Sequence, residues 1–198
     1  MKKLTAALLL PFAFLFLLTA CGNPMFVKIE PIDKGQYIEG GIVTLGQFDD
    51  MPIEWLVLKV QSDEALLITK NNLCKRVFDV NGSSLWENSS IRDWLNGEFL
   101  LQSFAPGIQA RMLVGTSEGD KVFLLSREEA EIFFEDDADR ANGDYWWLRT
   151  ASKILSEFRN NPLTVQAVSD AGKIPHESVG GAASGLFGVR PAMWISLA

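Results

Sequence analysis

Two aromatic segments that cannot stay in water constrain this chain more than anything else in it. Asp144-Tyr145-Trp146-Trp147-Leu148-Arg149-Thr150 is answered near the C-terminus by Gly188-Val189-Arg190-Pro191-Ala192-Met193-Trp194-Ile195. Three of the six tryptophans fall in these stretches, each stretch with an arginine. Aromatic and β-branched residues suit a pleated, half-buried surface, so both segments are expected to be strands. Side chains alternate along a strand, which puts Trp146 and Leu148 on one face and Trp147 and Arg149 on the other. In the second segment Val189, Pro191, Met193 and Ile195 share a face, opposite Arg190, Ala192 and Trp194. With both apolar faces inward, Trp147, Arg149, Arg190 and Trp194 become the candidate ligand-binding residues. Indoles stack on sugar or peptide faces, and guanidinium forks take carboxylates or hydroxyls. On this reading Trp147→Ala impairs binding more than folding. The alternative makes the arginines half-buried ties to loop carbonyls or to Glu87 and Asp93, with the tryptophans packed over them. Trp86 and Trp94, beside a helix start, are expected in the core.

The N-terminus reads as an address. Lys2 and Lys3 precede an uncharged apolar run from Ala6 to Leu18. A run of ~13 residues is shorter than the ~20 a membrane span needs and fits a signal peptide over residues 1–20. Leu18-Thr19-Ala20-Cys21 resembles the bacterial lipobox, which implies cleavage before Cys21. That resemblance further implies a thioether-linked diacylglycerol on the Cys21 sulfur and an acyl chain, such as palmitate, on the new amino group. Two or more chains hold a protein firmly on a membrane. Gly22, in place of the aspartate that retains lipoproteins at the inner membrane, points to the outer membrane of a two-membrane cell. In a one-membrane cell the anchor lies in the outer face of the cytoplasmic membrane. Residues 21–39 then serve as a lipidated N-terminus and short tether, and 40–198 as one domain.

Without the signal peptide, 178 of the 198 residues remain, enough for a sizeable core. Losing two lysines takes the formal charge from −7 to −9, which argues against nucleic acid as a partner. With Cys21 lipidated, Cys74 has no disulfide partner and is expected to be a small buried hydrophobe.

Along the domain the pattern is α+β. Ile42–Leu45, Ile53–Val60 and Ala65–Thr69, separated by turn-rich polar stretches, predict an antiparallel meander. Ser90-Ile91-Arg92-Asp93 predicts a helix start, with Gly97 as the point where the helix ends or bends. Pro106 to Arg111 suits a turn or short helix. Ser126-Arg127-Glu128-Glu129 predicts a second, cleaner helix start with acidic residues in its first turn. Val122–Leu125, Tyr145–Arg149, Leu163–Ser169 and Val189–Leu197 are further expected strands. Ser178 to Gly185 is expected to be a flexible loop.

Four ordered strings carry a resemblance: Trp86-Glu87-Asn88-Ser89-Ser90-Ile91-Arg92-Asp93-Trp94-Leu95-Asn96, Lys121 to Ser126, Tyr145 to Arg149 and Gly188 to Trp194. Together they resemble a bacterial family of uncharacterised extracytoplasmic domains. That family is distantly similar to the C-type-lectin-like and formylglycine-generating-enzyme group. The resemblance implies a single C-type-lectin-like domain with antiparallel sheets and about two capped helices. It implies no activity. The enzymes of that group hold copper through paired cysteines, and only Cys74 is free here. The Glu-Pro-Asn and Trp-Asn-Asp strings of calcium-dependent lectins do not occur.

Other chemistries lack their residues. His176 is the single histidine, so no histidine triad can hold a metal, and no cofactor-binding pattern occurs. Glu135-Asp136-Asp137-Ala138-Asp139 is the densest acidic run and is expected to be a solvated helix C-terminus. The expected function is a lipid-anchored extracytoplasmic binding or interaction module for a glycan, a peptide or another envelope protein. An enzyme of unrecognised site and a purely structural envelope lipoprotein are the alternatives.

Overall fold

Two-residue turns organise the first part of the domain, which the computed structural model describes over residues 32–152, 164–175, 180–183, 185 and 187–198. Cys21 and His176 lie outside these residues, as do Ser178, Val179 and Ser184 of the expected Ser178–Gly185 loop. Within that loop Gly180–Gly181 is a strand paired with Thr164 and Val165 instead of free chain. Strands β1 (Ile42–Phe48), β2 (Met51–Gln61) and β3 (Glu64–Thr69) form the expected meander, with Phe48 opposite Met51 and Gln61 opposite Glu64. The connecting turns are Asp49-Asp50 and Ser62-Asp63. Asp49, Asp50 and Ser62 take positive φ values of 49°, 61° and 51°. Primed turns demand this because their twist matches that of the flanking strands.

β3 does not end the sheet. The last strand, β10 (Ala192–Ser196), lies antiparallel beside it with Met193 opposite Leu67, and β5 (Met112–Leu113) closes the far edge. The order is β1-β2-β3-β10-β5. The second sheet has the order β4-β9-β6-β7-β8. Its strands are β4 (Cys74–Lys75), β6 (Trp146–Ala151), β7 (Thr164–Val168), β8 (Gly180–Gly181) and β9 (Gly188–Val189). Pairing is antiparallel except between β6 and β9, where Trp146 faces Gly188.

The expected single strand from Val189 to Leu197 is therefore two strands in two sheets. Pro191 has no N–H to give a ladder and sits at the crossing. Its carbonyl accepts from the Thr69 amide at 2.9 Å, so the chain stays tied to β3 while changing sheets. Val122–Leu125 is likewise not a regular strand. Its four side chains are buried, and it pairs singly on either side: Phe123 with Ala192, and the Leu125 carbonyl with the Arg149 amide.

The first helix carries the bend expected at Gly97, in an unexpected form. Helix α1 (Ser90–Trp94) opens with Ser89, one residue before the expected cap, whose hydroxyl accepts from the Arg92 amide. It runs without a break into a π-helical turn, Leu95–Phe99, and then α2 (Leu100–Ser103). The π turn widens the helix by one residue and turns both Trp94 and Phe99 into the core. α3 (Pro106–Arg111) follows with proline at its start. α4 (Arg127–Phe133) carries the full Ser126–Glu129 capping box that the sequence predicts. The acidic run does not close α4. Asp136 instead caps a separate helix, α5 (Asp137–Arg140), through the Asp139 amide at 3.0 Å. Among the described residues no helix is long and apolar enough to cross a membrane.

One loop depends on a buried acid. Asp79, 1% exposed, accepts from the backbone amides of Asn81, Ser83 and Ser90 at 3.0, 2.8 and 3.0 Å. Burial pushes its carboxyl up, but these amides and the Ser90 hydroxyl together hold it below the usual aspartate range. A depressed folded value contributes stability above the unfolded pKa of about 3.9, lost as pH falls through the folded value. Asp79→Asn is expected to cost roughly 1–3 kcal/mol at pH 7. Urea titrations should show the gap to wild type closing below about pH 4; a gap unchanged at pH 2.5 contradicts the assignment.

Candidate functional site

The four residues expected to form an outer face lie instead in separate buried or half-buried settings. Trp147 is 0% exposed, because the second sheet is covered on both sides and alternation in β6 chooses between two interiors. Its ring packs on Phe78 and Phe187, and its indole N–H donates to the Arg76 carbonyl at 2.9 Å. Arg190 is 2% exposed and donates to the carbonyls of Thr69, Lys70 and Arg140. Arg149 is half-buried at the start of α4. It forks onto the Glu129 carboxylate and donates to the Leu124 carbonyl at 2.7 Å. Trp194 is half-buried in the other sheet, opposite Leu66 and Leu113. These positions correct the expected sides and separate the four residues from one another. The carbonyl ties match the alternative reading, although the acid is Glu129, not Glu87 or Asp93. Trp86 and Trp94 are in the core, as expected, and the Trp86 indole donates to buried Asp120 at 2.8 Å.

A cleft of about 560 Å³ lies elsewhere, between the β1–β2 turn, the end of β4 and the α1–π–α2 helix. This volume falls in the range of small-ligand sites. Its base is aromatic: Phe48 meets Trp94 edge-on at 6.1 Å and Phe99 at 5.9 Å. Over the Trp94 ring, 4.3 Å from its centroid, sits the Arg76 guanidinium. Among the described residues that guanidinium makes no hydrogen bond or ion pair. Its neighbour Lys75 pairs with Asp144 at 2.6 Å. Asp49 and Asp50 at the turn and Glu98 on the π turn bring three exposed carboxylates to the rim, none ion-paired among the described residues. Gln47, Gln102 and Ser103 supply neutral polar groups. Cys74 is half-buried in the same wall. Burial raises its thiol pKa; Arg76 pulls it down and Asp49 pushes it up. A thiol held protonated is a poor nucleophile and ligand, so Cys74 acts here as lining.

Two departures from regular backbone converge on this cleft. The left-handed Asp49-Asp50 turn forms one wall, and the π turn bearing Glu98 and Phe99 forms another. Positive φ at non-glycine residues and π turns are both uncommon, and such features gather at functional sites.

Residues 62–197 match the family described as a domain of unknown function, DUF6273. The chain belongs to the DUF6273 family. No curated protein and no solved structure matches it. The DUF6273 match contains the β4 end of the cleft and the whole helix wall, while Gln47–Asp50 precede it. The cleft is thus shared between the DUF6273 region and a hairpin outside the matched span.

A second cavity, about 600 Å³, lies between β2 and α4 of the DUF6273 protein. Leu58, Ile132 and Phe133 line it, and its Lys59 and Glu39 are already paired at 3.0 Å. It offers no unpaired cation, so the Arg76 cleft is the stronger candidate. Among the described residues no group of three acidic, histidine or cysteine side chains is placed to hold a metal. The cleft residues escape sequence reading because they come from three distant segments. The one available signal was Asp49-Asp50 between alternating strands, where a two-residue turn holds both side chains at a hairpin tip.

Proposed function

We propose that this chain is a lipid-anchored extracytoplasmic binding module, built on a C-type-lectin-like scaffold, that takes a small polar ligand in the Arg76 cleft. The observation that carries this reading is the guanidinium that, among the described residues, has no hydrogen-bonding partner and lies over the Trp94 ring, 4.3 Å from its centroid. A guanidinium held over a ring by its charge keeps its N–H fork for an acceptor. Lysine would give a point charge with no such fork. Lipidation at Cys21 keeps the cleft at the cell envelope, facing outside the cytoplasm, where peptides and glycans are its available ligands.

Two experiments test this. Full-length protein in detergent, applied to glycan and peptide arrays, should give binders whose affinity falls at least tenfold in Arg76→Met and in Glu98→Gln. Both substitutions are exposed and should move stability by no more than about 0.5 kcal/mol. Binding that ignores both substitutions places the ligand elsewhere. Separately, Cys21→Ser should shift the protein from the membrane to the soluble fraction on cell lysis. Unchanged partitioning refutes the anchor.

A further inference from the structure

The cleft holds opposite charges that do not meet. Arg76 and Asp49 both lie within electrostatic reach of the Cys74 thiol, yet they form no ion pair. Each is held by its own element: Arg76 by the Trp94 ring, Asp49 by a left-handed turn. Asp50 extends the same turn, and Glu98 stands on the π turn. The Lys75–Asp144 pair is internally neutral, so Arg76 shares the cleft with three carboxylates that make no ion pair among the described residues. Ser103, 4% exposed, also lines the cleft, with a hydroxyl that makes no hydrogen bond among the described residues.

A purely anionic ligand would be repelled by the three carboxylates, and a purely cationic one by Arg76. A neutral sugar would use none of these four charges as a charge-assisted hydrogen-bond partner. A ligand with a carboxylate at one end and an ammonium at the other satisfies both walls. We infer that the cleft binds a zwitterion of amino-acid type, a free amino acid or short peptide with both termini free. Its carboxylate meets the Arg76 fork and its ammonium lies among Asp49, Asp50 and Glu98. The backbone amides of a short peptide then face Gln47, Gln102 and Ser103. This inference rests on the cleft being the ligand site.

The test uses full-length protein in detergent and a tripeptide library in three forms: free termini, N-acetylated, and C-terminally amidated. Free alanine and free lysine are included to separate amino acids from peptides. The free-terminus library should bind, and each blocked form should bind at least tenfold more weakly. Arg76→Met should lower affinity for the free acid to that of the amide while leaving amide affinity unchanged. Asp50→Gly should do the same for the free amine against its acetylated form. Glycine suits φ 61° better than aspartate, so that variant removes a carboxylate without straining the turn. Blocked libraries binding as well as the free one, yet losing affinity in Arg76→Met, overturn the zwitterion and leave the cleft reading standing. Binding of the free library unaffected by either substitution overturns both readings. Absence of binding by the free library and both amino acids overturns the zwitterion, and the array result then decides on the cleft.

Discussion

Trp147→Ala is expected to lower the unfolding free energy by about 3–5 kcal/mol, the cost of truncating a fully buried large aromatic ring. Domains of this size carry ~5–15 kcal/mol in total, so a substantial fraction of the variant should be unfolded at 37 °C. Guanidinium titration followed by far-UV circular dichroism measures it; a loss under about 1 kcal/mol contradicts the burial. The ring lies between Phe78 at 5.8 Å and Phe187 at 4.4 Å, and nothing nearby can fill the space without moving both. Gly180 shows how tight the packing is: a Cβ there would come within 2.1 Å of Phe187 and 2.9 Å of Trp147. Trp147→Phe isolates a second effect. It keeps most of the ring and drops the indole hydrogen bond to the Arg76 carbonyl. Arg76 is otherwise fixed through its amide, which donates to the Phe187 carbonyl at 3.3 Å. Trp147 is therefore a positioning residue for the cleft: it sets the backbone from which Arg76 reaches Trp94. Trp147→Phe should weaken ligand binding by more than its stability loss accounts for, and Arg76→Met should remove that additional effect.

The relation between sequence and fold follows from where local rules apply. The capping box at Ser126–Glu129 and the β2–β3 hairpin were legible because neighbouring residues determine them. The faces of β6 were not. Alternation names a buried side only when the other side meets water, and here Trp146, Trp147 and Leu148 are all buried. Pro191 could have signalled that the last strand is interrupted, since a proline cannot serve a central ladder position. The sheet change it marks depends on β3 and β6 lying in different sheets, which no local pattern states. The cleft was the least legible part. Gln47–Asp50, Cys74–Arg76 and the helix from Trp94 to Ser103 each read as ordinary structure, and only tertiary packing brings their charges together.

Arg190→Ala is the second large expected loss, about 3–5 kcal/mol, for a different reason. The guanidinium donates to Thr69 O at 2.7 Å, Lys70 O at 3.3 Å and Arg140 O at 3.4 Å, and lies over Trp146 and Phe134. These carbonyls belong to the end of β3, the residue after it and the end of α5, so one side chain ties β3 and α5 to the point where the chain changes sheets. Removing it takes its 2.7 Å donor from the buried Thr69 carbonyl, at roughly 1–3 kcal/mol before relaxation, and strips the cation from two rings. Lys70 O keeps the Asn142 side-chain amide and Arg140 O the Trp146 indole. Arg190→Met separates packing from bonding: it keeps the apolar stem against the rings and should lose about half as much. Burial lowers the Arg190 pKa to about 10. A folded value below the unfolded one means that burying the charge costs stability at every pH beneath it. That cost lifts only as pH rises above about 10 towards the unfolded value. Between pH 5 and 8 the group is charged in both states, so the gap between wild type and Arg190→Met should stay constant. Thermal unfolding across that range tests this directly. A gap that grows or shrinks between pH 5 and 8 would mean that Arg190 is paired with a titrating group and not held by carbonyls alone. A constant gap, beside one that closes in acid for Asp79→Asn, would show that carbonyls secure the crossing between the sheets while a carboxylate secures the Asp79 loop.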